Sequence, residues 1–464
     1  MMDWVWLVFY LLVILTLGMV GAKLFTWKEE CLFSETLSLV VMLGTGSLGY
    51  LLFLLGLLGV RPTRWSFVVL FVVTMIPCLL FFRNWKIPIN ELRSGLLHIT
   101  RLPFIVSTAL FILLLIFQGI VLVHALGSHL YEWDAFSIWG LKAKVIVLKG
   151  IMPCPDYFGD LSLGYSHLDY PLMVPFLMAG VYGVLGHIDD QMAKLSLPVI
   201  YFGMMCLVFA FSKRRLPTPA ALTITAIVMG TPVMLRWAGS GNADVPLTAF
   251  YTASVVYLLD WEEHSKWRSC VLCGMLSGFA AFTKNEGLAL GAINCLVMFL
   301  LTIRSQFWRR RLSGAVLCVA TFMILILPWL IWSNDIPRTM ENYPTHLRFS
   351  EIIKNVSRIP IILTEFVSQV VSIWQYGLIW PILIVSAIIR WRAFCDRTTL
   401  TACSLFLLHL VTYFLIFLVT PWDVRELLSV ALDRLVLHIL PVGGLLIALL
   451  FSSWIKKTAP QTSV

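Results

Sequence analysis

The chain has 464 residues, of which 59% are hydrophobic and only 13% are charged. A soluble domain carries about 25% charged residues, so that class is excluded, and the absence of short alternating segments excludes a membrane β-barrel. The net charge of +9 reads first as a membrane-topology signal, and no nucleic-acid partner is inferred from it.

Apolar runs long enough to cross a bilayer, which takes about 20 residues, recur along the whole chain. Spans are expected near 2–22, 35–59, 65–82, 102–126, 190–211, 217–234, 245–260, 269–283, 287–303, 312–333, 371–389, 399–420 and 434–454. The sequence therefore predicts an all-α polytopic membrane protein with about thirteen transmembrane helices. The first apolar run carries Asp3 and lacks a small-residue cleavage pattern before Lys23, so it reads as a retained span.

Charge divides the loops. Lys213-Arg214-Arg215, Arg309-Arg310-Arg311, the Arg390/Arg392/Arg397 group and Lys456-Lys457 fall on one side of the expected topology. The positive-inside rule makes that side cytoplasmic, with the C-terminus inside. The apolar stretch 167–186 would invert every later loop if it crossed, so it is expected to be a membrane-parallel or re-entrant helix. Three parts follow: a three-span unit with a basic loop (1–101), a core (102–454) with outer loops 127–190 and 334–370, and a cytoplasmic tail (455–464).

Cysteine chemistry adds little. Of the ten cysteines, Cys270 and Cys273 form a CxxC on an apolar helix and read as small buried hydrophobes. Cys154 alone falls in an outer loop, so no disulfide is expected there. Metalloprotease, P-loop and nucleophile-elbow motifs are absent, so nucleotide chemistry is not expected.

The polar residues near the outer boundaries are few. They are Asp134, His167, Asp169, Arg236, Asn242, Asp244, Lys284, Asn285, Glu286, Asp433 and Arg434. Ionisable groups at that depth usually line a cavity. Each also has a bland explanation. Asp134, one residue after Trp133, and Asp244, two before Pro246, could cap helices. Lys284 and Glu286 could neutralise each other in a turn. His167 and Asp169 could merely form a turn before the next helix. Arg434 could pair with Asp433 or a headgroup. Lys142 and Lys149 share one face of a short amphipathic helix, opposite Ile138, Leu141, Val145 and Leu148. That helix is expected to lie in the interface with its lysines toward lipid phosphates.

Five short stretches in order, YEWDAF, HLDYPLMVP, NADVPLTAF, TKNEGLAL and DRLVLHILP, resemble the GT-C superfamily of membrane glycosyltransferases. The likeness is to its bacterial branch related to protein O-mannosyltransferases and lipid A aminoarabinose transferases. The resemblance implies transfer of a hexosyl or pentosyl group from a polyprenyl-phosphate donor. The acceptor would be a glycan, lipid or protein of the cell envelope, met at the outer face of the cytoplasmic membrane. It implies Asp134 as general base, with inversion, and Lys284 and Arg434 as cations on the donor phosphate. Glu132, His167, Asp169, Asp244 and Glu286 are then candidates for binding acceptor or sugar. The family often has two adjacent acids where Trp133 here separates Glu132 from Asp134. No cofactor is assigned: a divalent metal at His167 and Asp169 is conceivable, but two residues are too few to define one. The competing expectation is a polytopic transporter or lipid flippase, which calls for ionisable groups near the bilayer midplane.

Overall fold

The structure is a computed structural model, and it describes residues 2–26, 31–82, 101–152, 157–338 and 346–458. The expectations for Cys154, for most of the basic loop before residue 101 and for the end of the C-terminal tail fall outside them. Every regular element among the described residues is helical.

Three helices open the chain: α1 (Met2–Thr26), α2 (Phe33–Leu57) and α3 (Arg64–Phe82). A Cβ on Gly18 would stand 1.8 Å from the Val40 carbonyl oxygen, and one on Gly44 would stand 2.2 Å from that of Ile14. Such close backbone approach is how membrane helices gain contact where lipid offers no hydrophobic drive. Next comes α4 (Arg101–Gly127), whose surface is largely bare and apolar.

The loop after α4 holds a π-helical turn, Ala135–Gly140, which runs into α5 (Leu141–Lys149). Further along lies α6 (Met173–Leu185), 13 residues long and buried throughout. At 1.5 Å per residue it reaches about 20 Å, too short for a bilayer core of about 30 Å. Its length suits the membrane-parallel or re-entrant placement expected for the segment 167–186. Its end is fixed by Arg64, which donates through Nε to the Val184 carbonyl at 2.9 Å and through a second nitrogen to that of Leu185.

The orientation expected for α5 is overturned at Lys142. That residue has no exposed surface, whereas Leu148 of the supposed buried stripe is 60% exposed. Lys142 donates to the His167 carbonyl oxygen and lies 5.8 Å and 5.6 Å from the ring centroids of Trp139 and Tyr170. An amphipathic pattern could not foresee a carbonyl and two aromatic faces waiting inside the loop.

The core continues with α7 (Ser196–Lys213), α8 (Thr218–Met229), α9 (Pro232–Ala238), α10 (Asp244–His264), α11 (Trp267–Thr283), α12 (Asn285–Ile303) and α13 (Trp308–Trp332). The expected span 217–234 is in fact the pair α8 and α9, bent by 65°. Pro232 supplies no backbone N–H and opens a new helix there. After α14 (Ile359–Val371) the expected span 371–389 is likewise interrupted, at Ser372 and at Gly377 (φ +55°). It resumes as α15 (Ile379–Ile389), followed by α16 (Arg397–Val419) and α17 (Val424–Thr458).

Eight helices of the described residues are long and apolar enough to cross a membrane, nine if the bent pair counts as one. Other expected spans are shorter or, like α10 and α11, more polar because they lie inside the bundle. α10 is buried along most of its 21 residues and spans about 30 Å. Its C-terminal end is tied to the basic clusters. Arg215 meets Glu263 at 2.7 Å, Arg311 reaches the Glu262 carbonyl at 2.6 Å, and Thr398 donates to the Glu262 carboxylate at 2.8 Å. Arg214, which follows α7, pairs with Glu35 of α2. Asp244 stands at the other end of α10.

Two outcomes follow from this packing. A Cβ on Gly287 would lie 2.1 Å from the Ala280 carbonyl oxygen, so Gly287→Ala should lower stability by about 1–3 kcal/mol, read as a fall in thermal midpoint in detergent. Burial pulls the Lys142 ammonium down to about 7, with Asp169 opposing, against an ordinary 10.5. Between those values the unfolded chain holds a proton that the folded chain lacks, so stability rises with pH there and is lowest below pH 7. Thermal unfolding across this range should show the rise in the wild type and a flatter profile in Lys142→Met.

Candidate functional site

A sharp turn between α9 and α10 brings Asp244 to the loop that carries Asp134. Gly241 adopts φ +101°, a region open to glycine and costly for other residues. A Cβ there would meet the Leu130 side chain at 2.6 Å and the Cβ of Ala135 at 3.0 Å. The turn thus seats the start of α10 directly against the residue following Asp134.

Lys284 arrives by a different device. α11 stops at Thr283, Lys284 is a single extended residue (φ −158°, ψ 153°), and α12 starts at Asn285. The lysine side chain is delivered into the bundle between the two helices. Glu286 stands in the first turn of α12, where the helix dipole favours a negative charge.

These groups form one network. The Lys284 Nζ donates to Asp244 Oδ1 at 2.9 Å and lies 2.9 Å from Glu286 Oε1. Asp244 and Lys284 are 1% and 6% exposed, so each charge relies on the other rather than on water. His438 Nε2 lies 3.1 Å from the same Asp244 oxygen, and Tyr413 is 3.1 Å from His438 Nδ1. With the Tyr413 hydroxyl donating to Nδ1, Nε2–H is left to donate to the carboxylate. The other Asp244 oxygen, Oδ2, is 3.9 Å from Arg434 NH1, and that same nitrogen pairs with Asp134 Oδ2. Three carboxylates therefore face two permanent cations.

Arg434 is held by its own surroundings. Its guanidinium stands 5.6 Å from the Trp237 ring, and NH2 reaches the Val430 carbonyl at 3.1 Å. Trp237 Nε1 donates to Asp433 Oδ2 at 3.2 Å. Among the described residues, two buried atoms of the network, Arg434 Nε and Glu286 Oε2, have no hydrogen-bond partner. Unfilled polar capacity of this kind marks a place for a ligand or water.

Most of the residues singled out from sequence converge. Asp134, Asp244, Lys284, Glu286 and Arg434 are joined directly. The capping explanation for Asp244 does not hold, since no side-chain cap bond forms at the start of α10 and its carboxylate turns to Lys284 and His438. Lys284 and Glu286 do pair, yet within a larger set. Glu132 stands at the rim, 3.9 Å from Arg236. His167 and Asp169 sit beside Lys142: His167 has φ +48°, its ring stacks on Tyr170 at 4.5 Å, and its carbonyl accepts from Lys142. His438 was missed by sequence reasoning, although it lies one helical turn after Arg434 within an apolar run, a position that raises suspicion.

A polytopic helical bundle with a buried ion network at one end is the class of protein that fold and site describe. Residues 169–332 match the model of the dolichyl-phosphate-mannose-protein mannosyltransferase family, a GT-C-type glycosyltransferase family, and the resemblance seen in the sequence is borne out there. No curated protein and no solved structure matches the chain. The matched stretch carries Asp169, Asp244, Lys284 and Glu286, and it supports a membrane glycosyltransferase that uses a lipid-linked sugar donor.

Removing one member of a buried pair strands the other. Asp244→Asn should cost roughly 3–5 kcal/mol, seen as a lower thermal midpoint. Asp244→Asn with Lys284→Met should lose less than the sum of the single losses.

Proposed function

We propose that this protein transfers a sugar from a polyprenyl-phosphate donor to a cell-envelope acceptor at the extracytoplasmic face of the cytoplasmic membrane, with inversion. The observation that carries this reading is the meeting of Asp134, Arg434, Asp244 and Lys284, which sets a proton acceptor beside two cations. The positive-inside rule puts that end of the bundle outside, because the basic clusters surround the opposite end of α10.

Chemistry assigns the parts. An acceptor hydroxyl attacks the anomeric carbon while Asp134 takes its proton. The bond from that carbon to the phosphate oxygen breaks, and polyprenyl phosphate leaves as a stable anion. The leaving group needs no proton, so the demand falls on cations. Arg434 and Lys284 meet the phosphate charge in a site partly closed to water, where such contacts are strong. Asp244, fixed by His438, holds both cations in register. Glu286 tunes Lys284 and is a candidate for orienting the sugar, with Glu132 at the rim toward the acceptor. His167 and Asp169 are further candidates on the acceptor side, through the loop they share with Lys142.

A groove of about 590 Å³ lined by Trp133, Phe136, Ser137, Leu141, Lys144 and Tyr165 lies on the aromatic side of the Asp134 loop. Its apolar walls suit a hydrocarbon tail.

The test is transfer from a panel of polyprenyl-phosphate hexoses and pentoses in membranes bearing the full chain. Asp134→Asn should reduce transfer by about 10²–10⁴-fold, the usual share of a general base, with unchanged insertion and expression. Full activity in that variant would remove Asp134 from the chemistry.

A further inference from the structure

We propose that Arg434 latches the base: without donor it holds Asp134 in an ion pair, and the donor phosphate takes Arg434 and releases Asp134, so that donor must bind before acceptor is activated. This rests on the glycosyltransferase reading above and adds an order of events to it.

The geometry is specific. Arg434 NH1 pairs with Asp134 Oδ2 while standing 3.9 Å from Asp244 Oδ2. Asp244 is almost wholly buried and is also held by Lys284 and His438. Asp134 is 26% exposed and stands at the very start of the π-helical turn, with no side-chain cap bond to hold it there. Of the two carboxylates on Arg434, Asp134 is therefore the one free to leave. A base engaged by a guanidinium has its proton-accepting oxygen occupied.

Charge supplies the drive. Asp134, Asp244 and Glu286 already outnumber Lys284 and Arg434. A phosphodiester entering this set adds another negative charge. It can stay only if one carboxylate gives up its cation, and the unpartnered Arg434 Nε offers the phosphate a donor beside NH1. Displaced from Arg434, Asp134 has its proton-accepting oxygen free at the moment the sugar is seated. Without donor the carboxylate stays masked. The latch also scales donor affinity down to the fraction of time it is open.

The experiment is binding of polyprenyl phosphate, and of the matching uncharged polyprenol, to the purified full chain in nanodiscs. Asp134→Asn removes the competing charge and should bind polyprenyl phosphate about tenfold more tightly, comparable to releasing one charge-assisted hydrogen bond, with polyprenol binding unchanged. Equal or weaker phosphate binding by Asp134→Asn overturns the latch. Arg434→Gln and Lys284→Met should bind the phosphate at least several-fold more weakly. If both bind it as the wild type does, the donor-site reading falls, and the latch with it. A measurement on the wild type covers the case in which Asp134→Asn fails to fold. Carbodiimide labelling of Asp134, read by mass spectrometry, should change when polyprenyl phosphate is added and not when polyprenol is. Labelling indifferent to the phosphate overturns the latch.

Discussion

A charged carboxylate buried inside a membrane bundle has to be answered by cations and hydrogen-bond donors, and Asp244 is answered by three side chains from two other parts of the chain. Lys284 comes from the junction of α11 and α12, His438 and Arg434 come from α17, and Asp244 itself opens α10. In an interior of low dielectric each group depends on the others, so the network fixes the relative position of three helices more firmly than apolar contact alone. Tyr413 extends the same chain to α16. The loop carrying Asp134 is bound to this assembly through Arg434, and the Gly241 turn sets that loop close enough to reach.

The two ends of α10 play different parts. At the Asp244 end Lys284, His438 and Arg434 gather on one buried carboxylate. At the other end Glu262 and Glu263 meet Arg215, Arg311 and Thr398, and those contacts bind α10 to α7, α13 and α16.

Helix type and the polytopic character of the chain were legible because hydrophobic length is a strong one-dimensional signal, whereas the expected thirteen spans exceed the eight or nine helices long and apolar enough to cross among the described residues. Breaks were less so. The bend between α8 and α9 rests on Pro232, which the sequence displays, yet whether a proline kinks or merely starts a helix depends on what receives the freed backbone groups. Lys142 shows the limit most clearly. Its spacing from Lys149 placed it on a polar face, but the His167 carbonyl and the rings of Trp139 and Tyr170 drew it inward. Periodicity describes one helix; burial of a lysine depends on partners from a loop about twenty-five residues away in sequence.

The chain by itself determined the class of protein, the charge asymmetry of its loops and the short set of ionisable residues worth watching, because these depend on composition and local order. Only the tertiary structure decided which of them meet. Asp134 and Arg434 are 300 residues apart, and nothing local links them. His438 became part of the site for the same reason: its neighbours Asp244 and Tyr413 belong to other helices, and a contact between helices is a property of their packing.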